Sequence, residues 1–378
     1  MKKKKSAAEG VELGGFSQKS KLKRKKNKKL IFINVIASFV LLLSCLALTG
    51  MVALNLNLFV DSAKGTQEEE GHTTASQDMQ SVQKSEDEDV TYLLVCGTDE
   101  SSALTDIMMV VCFDHGRGNA NILQIPRDTY IGSDVNTGKI NAVYGSAKKG
   151  QSRINTLIRR INTHLGLPID HYITVSLSAF RNIVDAVGGV DLYLPERLRV
   201  ADSEPPHNTV HYIGPGMTHL NGKLAEGFIR CRSGKTYQKG DMSRVEAQRN
   251  FYAAFAKKVM NMSTGQMTKI ATSCYDKVKT DLSIGQLLGY AAEVQKLELN
   301  DITIYAVPGQ SGNYKPAGLS VSRSYYSIHK SDYVELVNRA FMPYGEPVQE
   351  SDLKITELHT RKEGSYIEPE KNLGELAR

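Results

Sequence analysis

The stretch TYLLVCGTD at residues 91–99 decides the fold class of this 378-residue chain. Its unbroken apolar run stops at a glycine, which is typical of a β-strand that is covered on both faces. Two further apolar runs follow, IMMVVCF at 107–113 and ANILQI at 120–125. The polar residues 114–119 between them predict a hairpin loop, and Pro126 ends the third strand. The sequence therefore begins its folded part with three strands.

Helical patterns alternate with strand patterns further along the chain. Residues 154–165 carry apolar side chains at helical spacing and stop at Gly166 and Pro168, which are typical of a helix end. The other predicted strands cover 172–177, 190–194 and 302–307, and the other predicted helices cover 179–187 and 283–297. This alternation favours an α/β domain over residues 90–345, with three layers, α-β-α, around a mixed central sheet. Such a sheet binds ligands at the carboxyl ends of its strands.

The first sixty residues predict a single transmembrane helix with a basic tail. Residues 1–29 hold twelve Lys and Arg residues against two Glu, so the tail alone explains the chain's net charge of +6. Residues 30–60 contain no charge, and about 20 apolar residues suffice to cross a bilayer. Because Lys and Arg resist translocation, we expect the tail in the cytoplasm and the rest outside the cell membrane. A buried core helix and a cleaved signal peptide are the alternatives, and the length of the run disfavours both.

Two polar segments flank the predicted α/β domain. Residues 61–89 contain nine acidic residues and two lysines without apolar periodicity, which predicts a disordered linker. Residues 346–378 are highly charged and predict a loose tail to which we assign no role. The predicted order is therefore a cytoplasmic tail, one transmembrane helix, a linker, one extracellular domain and a charged tail.

Four cysteines follow the predicted transmembrane helix, and none belongs to a CxxC motif or a Cys/His cluster. The sequence thus indicates neither a zinc site nor a redox motif. Cys96 and Cys112 fall on neighbouring predicted strands and could form a disulfide. Buried free thiols are the equally plausible alternative, because connectivity cannot be read from sequence.

Three arginines in two segments are candidates for phosphate binding. In FIRCR, residues 228–232, an extended backbone would project Arg230 and Arg232 from the same face, roughly 7 Å apart. Arg127 follows Pro126 at the end of a predicted strand. A planar guanidinium can hold two phosphate oxygens, so several of them in one cleft would suit a pyrophosphate. Ordinary surface arginines that pair with acidic residues are the alternative.

The segment DMSRVEAQ at residues 241–248 adds a fourth arginine. The pattern Ser-Arg-Val-Glu resembles a capping box and predicts a helix that begins at Ser243. Arg244 would then lie in the first turn, where the helix dipole disfavours a cation unless an anion is bound nearby. Gln248 lies one turn further on the same face. Asp241, just before the cap, supplies part of the compensating charge.

Two aspartates flank the turn between the first two predicted strands. Asp99 ends the first strand and Asp106 opens the second. Two carboxylates without His or Cys partners suit a hard cation such as Mg²⁺, which takes its remaining ligands from water and phosphate. The alternative is that both aspartates cap turns, as Asp commonly does.

Motifs for other chemistries are absent from the sequence. No GxSxG, P-loop or GxGxxG motif follows a predicted strand, and the nine histidines are scattered. The basic tail has no helix-turn-helix pattern, and the predicted domain lies across the membrane from DNA. We therefore expect no nucleic-acid partner.

Taken in order, these motifs resemble the LytR–CpsA–Psr family of bacterial cell-wall glycopolymer transferases, over about residues 90–260. The matching segments are YLLVCGTD at 92–99, TDIMM at 105–109, IPRD at 125–128, KINA at 139–142, VDAVGGV at 184–190, LNG at 220–222, RCR at 230–232 and DMSRVEAQR at 241–249. No single segment is decisive, but their order and number make the resemblance specific.

The resemblance implies a phosphotransferase that moves an anionic or capsular glycopolymer from a polyprenyl-pyrophosphate carrier to peptidoglycan at the membrane's outer face. It implies that Asp99 and Asp106 hold Mg²⁺, and that an apolar tunnel holds the lipid tail. Asp241 would orient an arginine or accept a proton. The implied pyrophosphate ligands are Arg127, Arg230, Arg232, Arg244 and Gln248, and the implied catalytic residues are Asp99, Asp106, Arg127, Asp241 and Arg244.

Two alternatives to this enzyme remain at the level of sequence. One is a surface protein that binds polyprenyl phosphates or glycans without transferring them, and the intact acidic and arginine motifs disfavour it. The other is a membrane-bound transcriptional attenuator, which only the basic tail supports.

Overall fold

The computed structural model describes residues 89–99, 103–201, 209–231, 241–263, 273–283, 297–358 and 370–377, together with positions 266, 269, 270, 286 and 290. The predicted basic tail, transmembrane helix and all but the last residue of the predicted linker lie outside these ranges, as does most of the predicted helix at 283–297. Within the described ranges, every helix is too short or too polar to cross a bilayer.

Most described strands belong to one mixed sheet. In chain order the strands are β1 (Val90–Asp99), β2 (Leu104–Asp114), β3 (Asn119–Gln124), β4 (His171–Ser176), β5 (Val190–Leu194), β6 (Leu198–Ala201), β7 (Val210–Ile213), β8 (Gly216–Leu220), β9 (Val278–Thr280), β10 (Ile302–Ala306), β11 (Gly309–Tyr314), β12 (Arg323–Ile328) and β13 (Glu370–Asn372). The central sheet has seven strands in the order β13-β10-β3-β2-β1-β4-β9. β1 is parallel to β4 and β3 to β10, while the other neighbours are antiparallel. The predicted mixed central sheet is thus confirmed.

Helices cover both faces of this sheet. They are α1 (Arg153–Leu165), α2 (Leu177–Ala186), α3 (Gly222–Arg230), α4 (Asp241–Met260), α5 (Lys330–Ala340) and α6 (Leu373–Leu376). Successive side chains of a strand point to opposite faces. Accordingly Leu93 and Val95 join the apolar core beneath α2, α3, α4 and α6, while Leu94 and Cys96 join the core beneath α1 and α5. The domain therefore has three layers. Residues 92–96 in the middle of β1 are apolar because this part of the strand is buried on both faces.

Helix α1 lies where the apolar spacing predicted it. The Ser152 side chain accepts a hydrogen bond from the Asn155 N–H and caps the amino end. Gly166 ends the helix in the left-handed conformation with φ of 67°. A Cβ at this position would lie 2.8 Å from the Leu353 side chain, so both the backbone and the packing require glycine.

The prediction that residues 346–378 form a loose tail is wrong for the residues the structure describes. Val348 and Leu353 are buried in the core beneath α1. β13 pairs with β10 at the edge of the central sheet, and Leu373 of α6 is fully buried in the opposite core. The prediction failed because single apolar residues, widely spaced among charges, are enough to fix a segment against an existing sheet edge.

The four cysteines after the predicted transmembrane helix are buried free thiols. The suggested disulfide between Cys96 and Cys112 is therefore not formed, and the alternative of buried thiols is the observed one. The side chains of Cys96 and Cys112 lie in the apolar core beneath α1. Burial raises the pKa of the Cys96 thiol well above its ordinary value. A thiol in such surroundings is unreactive.

Candidate functional site

The first three strands meet at one end of the central sheet. β1 ends at Asp99 opposite Leu104, where β2 begins, so Asp99 and Asp106 belong to the same end. β3 ends at Gln124, three residues before Arg127, and pairs with β2 at that same end. A cavity of about 220 Å³ opens here. It is lined by Gly97, Asp106, Ile107, Arg127, Leu177, Ile229, Arg230, Arg244 and Gln248.

The cavity gathers five of the residues that the sequence singled out. They are Asp106, Arg127, Arg230, Arg244 and Gln248. Arg232 lies outside the described residues, and the side chains of Asp99 and Asp241 are not described either. Arg127, Arg230 and Arg244 thus line one cavity, although Arg127 and Arg230 also pair with acidic residues, as the alternative had it.

Asp106 and Arg127 form a close ion pair at the cavity. Arg127 Nη1 donates a hydrogen bond of 2.5 Å to Asp106 Oδ1, and Arg127 Nε lies 3.8 Å from Asp128 Oδ1. Lys139 Nζ approaches the same Asp128 oxygen at 3.1 Å. Among the described side chains, Arg127 Nε is a buried nitrogen without a hydrogen-bond partner. A buried donor without a partner costs free energy, so a small shift of the side chain that exposes it to a phosphate oxygen would be favourable.

Arg230 reaches the cavity from a helix, so the predicted extended backbone at residues 228–232 is wrong for the described part. The Asn221 side chain accepts from the Leu224 N–H and starts α3, which continues through Arg230. Ala225, Phe228 and Ile229 are buried, as the inner face of a helix requires. Helical packing against the sheet therefore overrides the strand-like alternation of the segment.

Arg244 and Gln248 lie one turn apart on α4. The helix begins at Asp241, two residues before the predicted cap at Ser243, so the predicted start is wrong. Arg244 nevertheless remains in the first turn, and its exposed fraction is only 4%. Gln248 is 6% exposed, and its Nε2 donates to the Ile229 carbonyl at 2.9 Å. This contact joins α4 to α3 at the cavity wall.

Arg249 shows how the two faces of α4 differ. It follows Gln248 directly, yet it does not line the cavity. Its Nε donates to Gln124 Oε1 at 2.8 Å, and only 1% of the residue is exposed. Because successive helical residues point about 100° apart, Gln248 faces the cavity while Arg249 ties α4 to the end of β3.

Sequence reasoning missed two charged residues behind the cavity. Glu226 of α3 is fully buried and accepts from Arg230 Nη1 at 2.9 Å. Arg181 Nη1 of α2 donates to the other oxygen of the same carboxylate. The spacing of Glu226 and Arg230 by four residues was a usable signal for the first pair. Nothing in the local sequence signalled the second pair.

The acidic residues fit a metal ion only together with a phosphate ligand. Asp106 provides hard carboxylate oxygens at the cavity, and the backbone places Asp99 at the same sheet end. Within the described ranges, no three His, Cys, Asp or Glu side chains cluster in a way that could hold a metal. Mg²⁺ commonly takes one or two carboxylates and completes its shell with water and phosphate oxygens. The donor set therefore suits Mg²⁺ bound with a phosphate rather than a closed protein site.

The cavity favours an anion with an apolar part. Three guanidiniums, those of Arg127, Arg230 and Arg244, face a single described carboxylate among its lining residues. A concave wall of low polarity concentrates this positive potential. Leu177 and Ile229 provide apolar surface beside the charges. A phosphate group that carries a hydrocarbon chain would match both properties.

A model of the family described as LytR_cpsA_psr matches residues 56–341 of the chain. The chain belongs to this family. The resemblance noted from the sequence motifs is thereby confirmed, and the matched range contains all the described residues of the cavity.

Named relatives of the protein include transferases of two Bacillus species. TagV of Bacillus subtilis, named a polyisoprenyl-teichoic acid–peptidoglycan teichoic acid transferase, is 26% identical over 236 residues, which cover 58% of this chain and 57% of TagV. TagU of Bacillus mycoides bears the same enzyme name and is 31% identical over 201 residues, which cover 52% of this chain and 61% of TagU. The match thus spans less than two thirds of either relative.

The crystal structure of B. subtilis TagV has a similar fold. It superposes with a TM-score of 0.55 at 22% sequence identity and covers 71% of this chain and 99% of the TagV chain. A likeness of this degree supports the fold of this LytR–CpsA–Psr protein but not its activity, because one fold can carry different functions.

Proposed function

We propose that the protein transfers an anionic or capsular glycopolymer from a polyprenyl-pyrophosphate carrier to peptidoglycan, with formation of a phosphodiester link. The observation that supports this proposal most directly is that Arg127, Arg230, Arg244 and Asp106 line the same cavity. Membership in the LytR_cpsA_psr family agrees with it, as do the transferase names of TagV and TagU.

In this proposal the arginines bind the two phosphates of the carrier. Arg127 and Arg230 hold Asp106 between them and present further N–H donors to phosphate oxygens. Arg244 adds its charge from the first turn of α4, where the helix dipole also favours an anion. Leu177 and Ile229 contact the first carbons of the polyprenyl chain. Arg232 is assigned to the same task.

The proposed reaction exchanges one phosphorus–oxygen bond for another. A hydroxyl oxygen of peptidoglycan attacks the phosphorus that carries the glycopolymer, and the bond from that phosphorus to the bridging oxygen breaks. Polyprenyl phosphate leaves with the bonding electrons, and the hydroxyl proton passes to a base, a task we assign to Asp241. Fixed guanidiniums stabilise the charge that develops on the bridging oxygen, so positioning and electrostatics supply the acceleration.

We assign a Mg²⁺ site to Asp99 and Asp106. When bound, the ion would neutralise phosphate oxygens and thereby help the bridging oxygen to leave. The chain's own contribution is to keep Asp106 oriented, because the carboxylate is fixed by Arg127 at 2.5 Å.

We further propose that residues 30–60 anchor the protein in the cell membrane with the catalytic domain outside. The charge-free length of this segment and the twelve basic residues before it support this orientation. A membrane anchor would keep the cavity near a substrate whose lipid tail is confined to the bilayer.

Substitution of Arg127 by Ala tests the proposed activity. We expect the rate of transfer to fall at least about 100-fold, because the variant loses a donor to the phosphates and leaves Asp106 without its hydrogen-bonded partner. The measurement is the release of polyprenyl phosphate from a polyprenyl-pyrophosphate-linked saccharide by the full chain in detergent, with peptidoglycan oligomers as acceptor.

Arg339→Ala provides the matched control for this experiment. Arg339 is an exposed arginine that pairs with Glu370, and neither residue lines the cavity, so its loss should leave the rate unchanged. An unchanged rate in Arg127→Ala would contradict the proposed role of the arginines. If the unaltered chain binds the donor but releases no polyprenyl phosphate, the alternative of a non-catalytic binding protein is correct.

A further inference from the structure

Glu226 is a buried carboxylate that the proposed reaction does not itself use. It lies on α3, and none of its side chain is exposed. An ion that is removed from water needs charged partners, because an unpaired buried charge is strongly destabilising. Glu226 has two such partners, Arg230 at Oε1 and Arg181 at Oε2. Each carboxylate oxygen thus holds one guanidinium.

The close approach of α2 and α3 brings Arg181 to this carboxylate. A Cβ on Gly222 would lie 2.3 Å from the carbonyl oxygen of Arg181, so only glycine allows the two helices to meet here. The Gly222 N–H also donates to Asp185 Oδ1 at 2.7 Å, which fixes the start of α3 against α2. Glu226 follows one turn later on α3 and therefore lies beside Arg181.

Arg230 is held from two sides and still reaches the cavity. Its Nη1 bonds Glu226 at 2.9 Å, and its Nε lies 3.8 Å from Asp106 Oδ2. The Arg230 side chain is 34% exposed, whereas that of Glu226 is not exposed at all. One edge of the guanidinium therefore faces a buried anion while the rest faces the cavity. Since a guanidinium carries five N–H donors, these two contacts do not exhaust its capacity.

We propose that Glu226 is a positioning residue, whose buried carboxylate presets Arg230 to receive a phosphate of the substrate. Arg181 is the counter-ion that allows the carboxylate to remain buried. This inference rests on the proposed function for the identity of its ligand. A guanidinium already fixed in place loses little conformational entropy and needs no reorganisation when the phosphate binds. The effect of Glu226 thus passes through Arg230.

Two substitutions separate positioning from a merely structural ion pair. Glu226→Gln keeps the size of the side chain and one acceptor oxygen but removes the charge that fixes Arg230. Arg181→Met breaks the same buried cluster from the side away from the cavity, since Arg181 is not among the lining residues. Both variants should unfold at lower temperature than the unaltered chain, because each leaves a buried charge with one partner fewer.

Binding of inorganic pyrophosphate to the full chain in detergent, measured by titration calorimetry, tests the proposal without relying on transfer. We expect Glu226→Gln to weaken the affinity about tenfold, and Arg181→Met to weaken it by a smaller factor despite a similar loss of thermal stability. In an Arg230→Gln background, Glu226→Gln should change the affinity less than about twofold, since residues that act through one another are not additive.

The outcomes separate this inference from the proposed function. Equal effects of Glu226→Gln with and without Arg230 would overturn the inference, as would affinity losses that simply follow the losses in thermal stability. Failure of the unaltered chain to bind pyrophosphate would overturn it as well. If pyrophosphate binding depends on Glu226 as expected but no polyprenyl phosphate is released in the transfer assay, the inference stands and the proposed transfer fails.

Discussion

At the residue scale, positively and negatively charged side chains alternate at the cavity, so the site differs from a simple basic patch. Arg181, Glu226, Arg230, Asp106 and Arg127 follow one another, and each carboxylate lies between two guanidiniums. Such an arrangement fixes long side chains that would otherwise lose much rotamer freedom when they bind a ligand. It also retains a net positive charge toward the cavity, so the same contacts that order the arginines leave them attractive to a phosphate.

His164 on α1 provides a pH test at the same scale. Burial, followed by the nearby charge of Arg160, lowers the pKa of His164 to about 4 from an ordinary value of 6.5. Since the unfolded chain binds this proton at higher pH than the folded chain, folding stability should fall as the pH drops from 6.5 to 4. We expect a loss of about 1–2 kcal/mol from this group after allowance for its partial exposure.

The measurement is urea unfolding of the full chain in detergent at pH 7 and at pH 4.5, with and without His164→Gln. The variant should lose less stability between the two pH values than the unaltered chain. An identical loss in both proteins would show that His164 does not contribute to the pH dependence.

At the element scale, helices and strands with a periodic apolar pattern could be predicted from the sequence. Contacts between residues that are distant in the sequence could not. α1 and β5 lie within one or two residues of their predicted bounds, because their apolar spacing covers several turns or alternations. FIRCR at 228–232 was a window too short to separate strand from helix, and the decisive residues of α3 stand before it. Likewise, Glu226 could have been found from its spacing to Arg230, but Arg181 lies 45 residues away in sequence. Only the packing of α2 on α3 joins them.

The carboxyl-terminal elements should contribute to stability although their composition suggested a loose tail. Leu373 of α6 is fully buried beside the edge of the central sheet. Leu373→Ala should therefore lower the free energy of unfolding by about 2–4 kcal/mol. Chemical denaturation of the full chain measures the change, and Glu375→Ala on the exposed side of the same helix should stay within about 0.5 kcal/mol of the unaltered chain. If both variants are equally stable, the segment does not belong to the folded core.

At the scale of the whole molecule, the site depends on the sheet to gather residues from distant parts of the sequence. Asp106 and Arg127 come from the first strands, while Arg230 and Arg244 come from helices more than a hundred residues later. The sequence could predict this gathering for the strand ends, because antiparallel and parallel pairing brings them to one edge. For Arg230 and Arg244 the sequence could predict only the positive charge. The direction in which these side chains point depends on how their helices pack against that edge.

The charge distribution of the whole chain leads to a final prediction about its orientation. Because the twelve basic residues of the first 29 resist translocation and residues 30–60 carry no charge, the domain should face the outside of the cell. Protease added to intact cells should then cut the acidic segment 61–89 and release a fragment that contains the cavity, while a cytoplasmic marker protein stays intact. Detection by an antibody against the carboxyl terminus measures the release. A carboxyl terminus that stays protected until the cells are lysed would place the domain in the cytoplasm, away from peptidoglycan, and the proposed transfer could not occur.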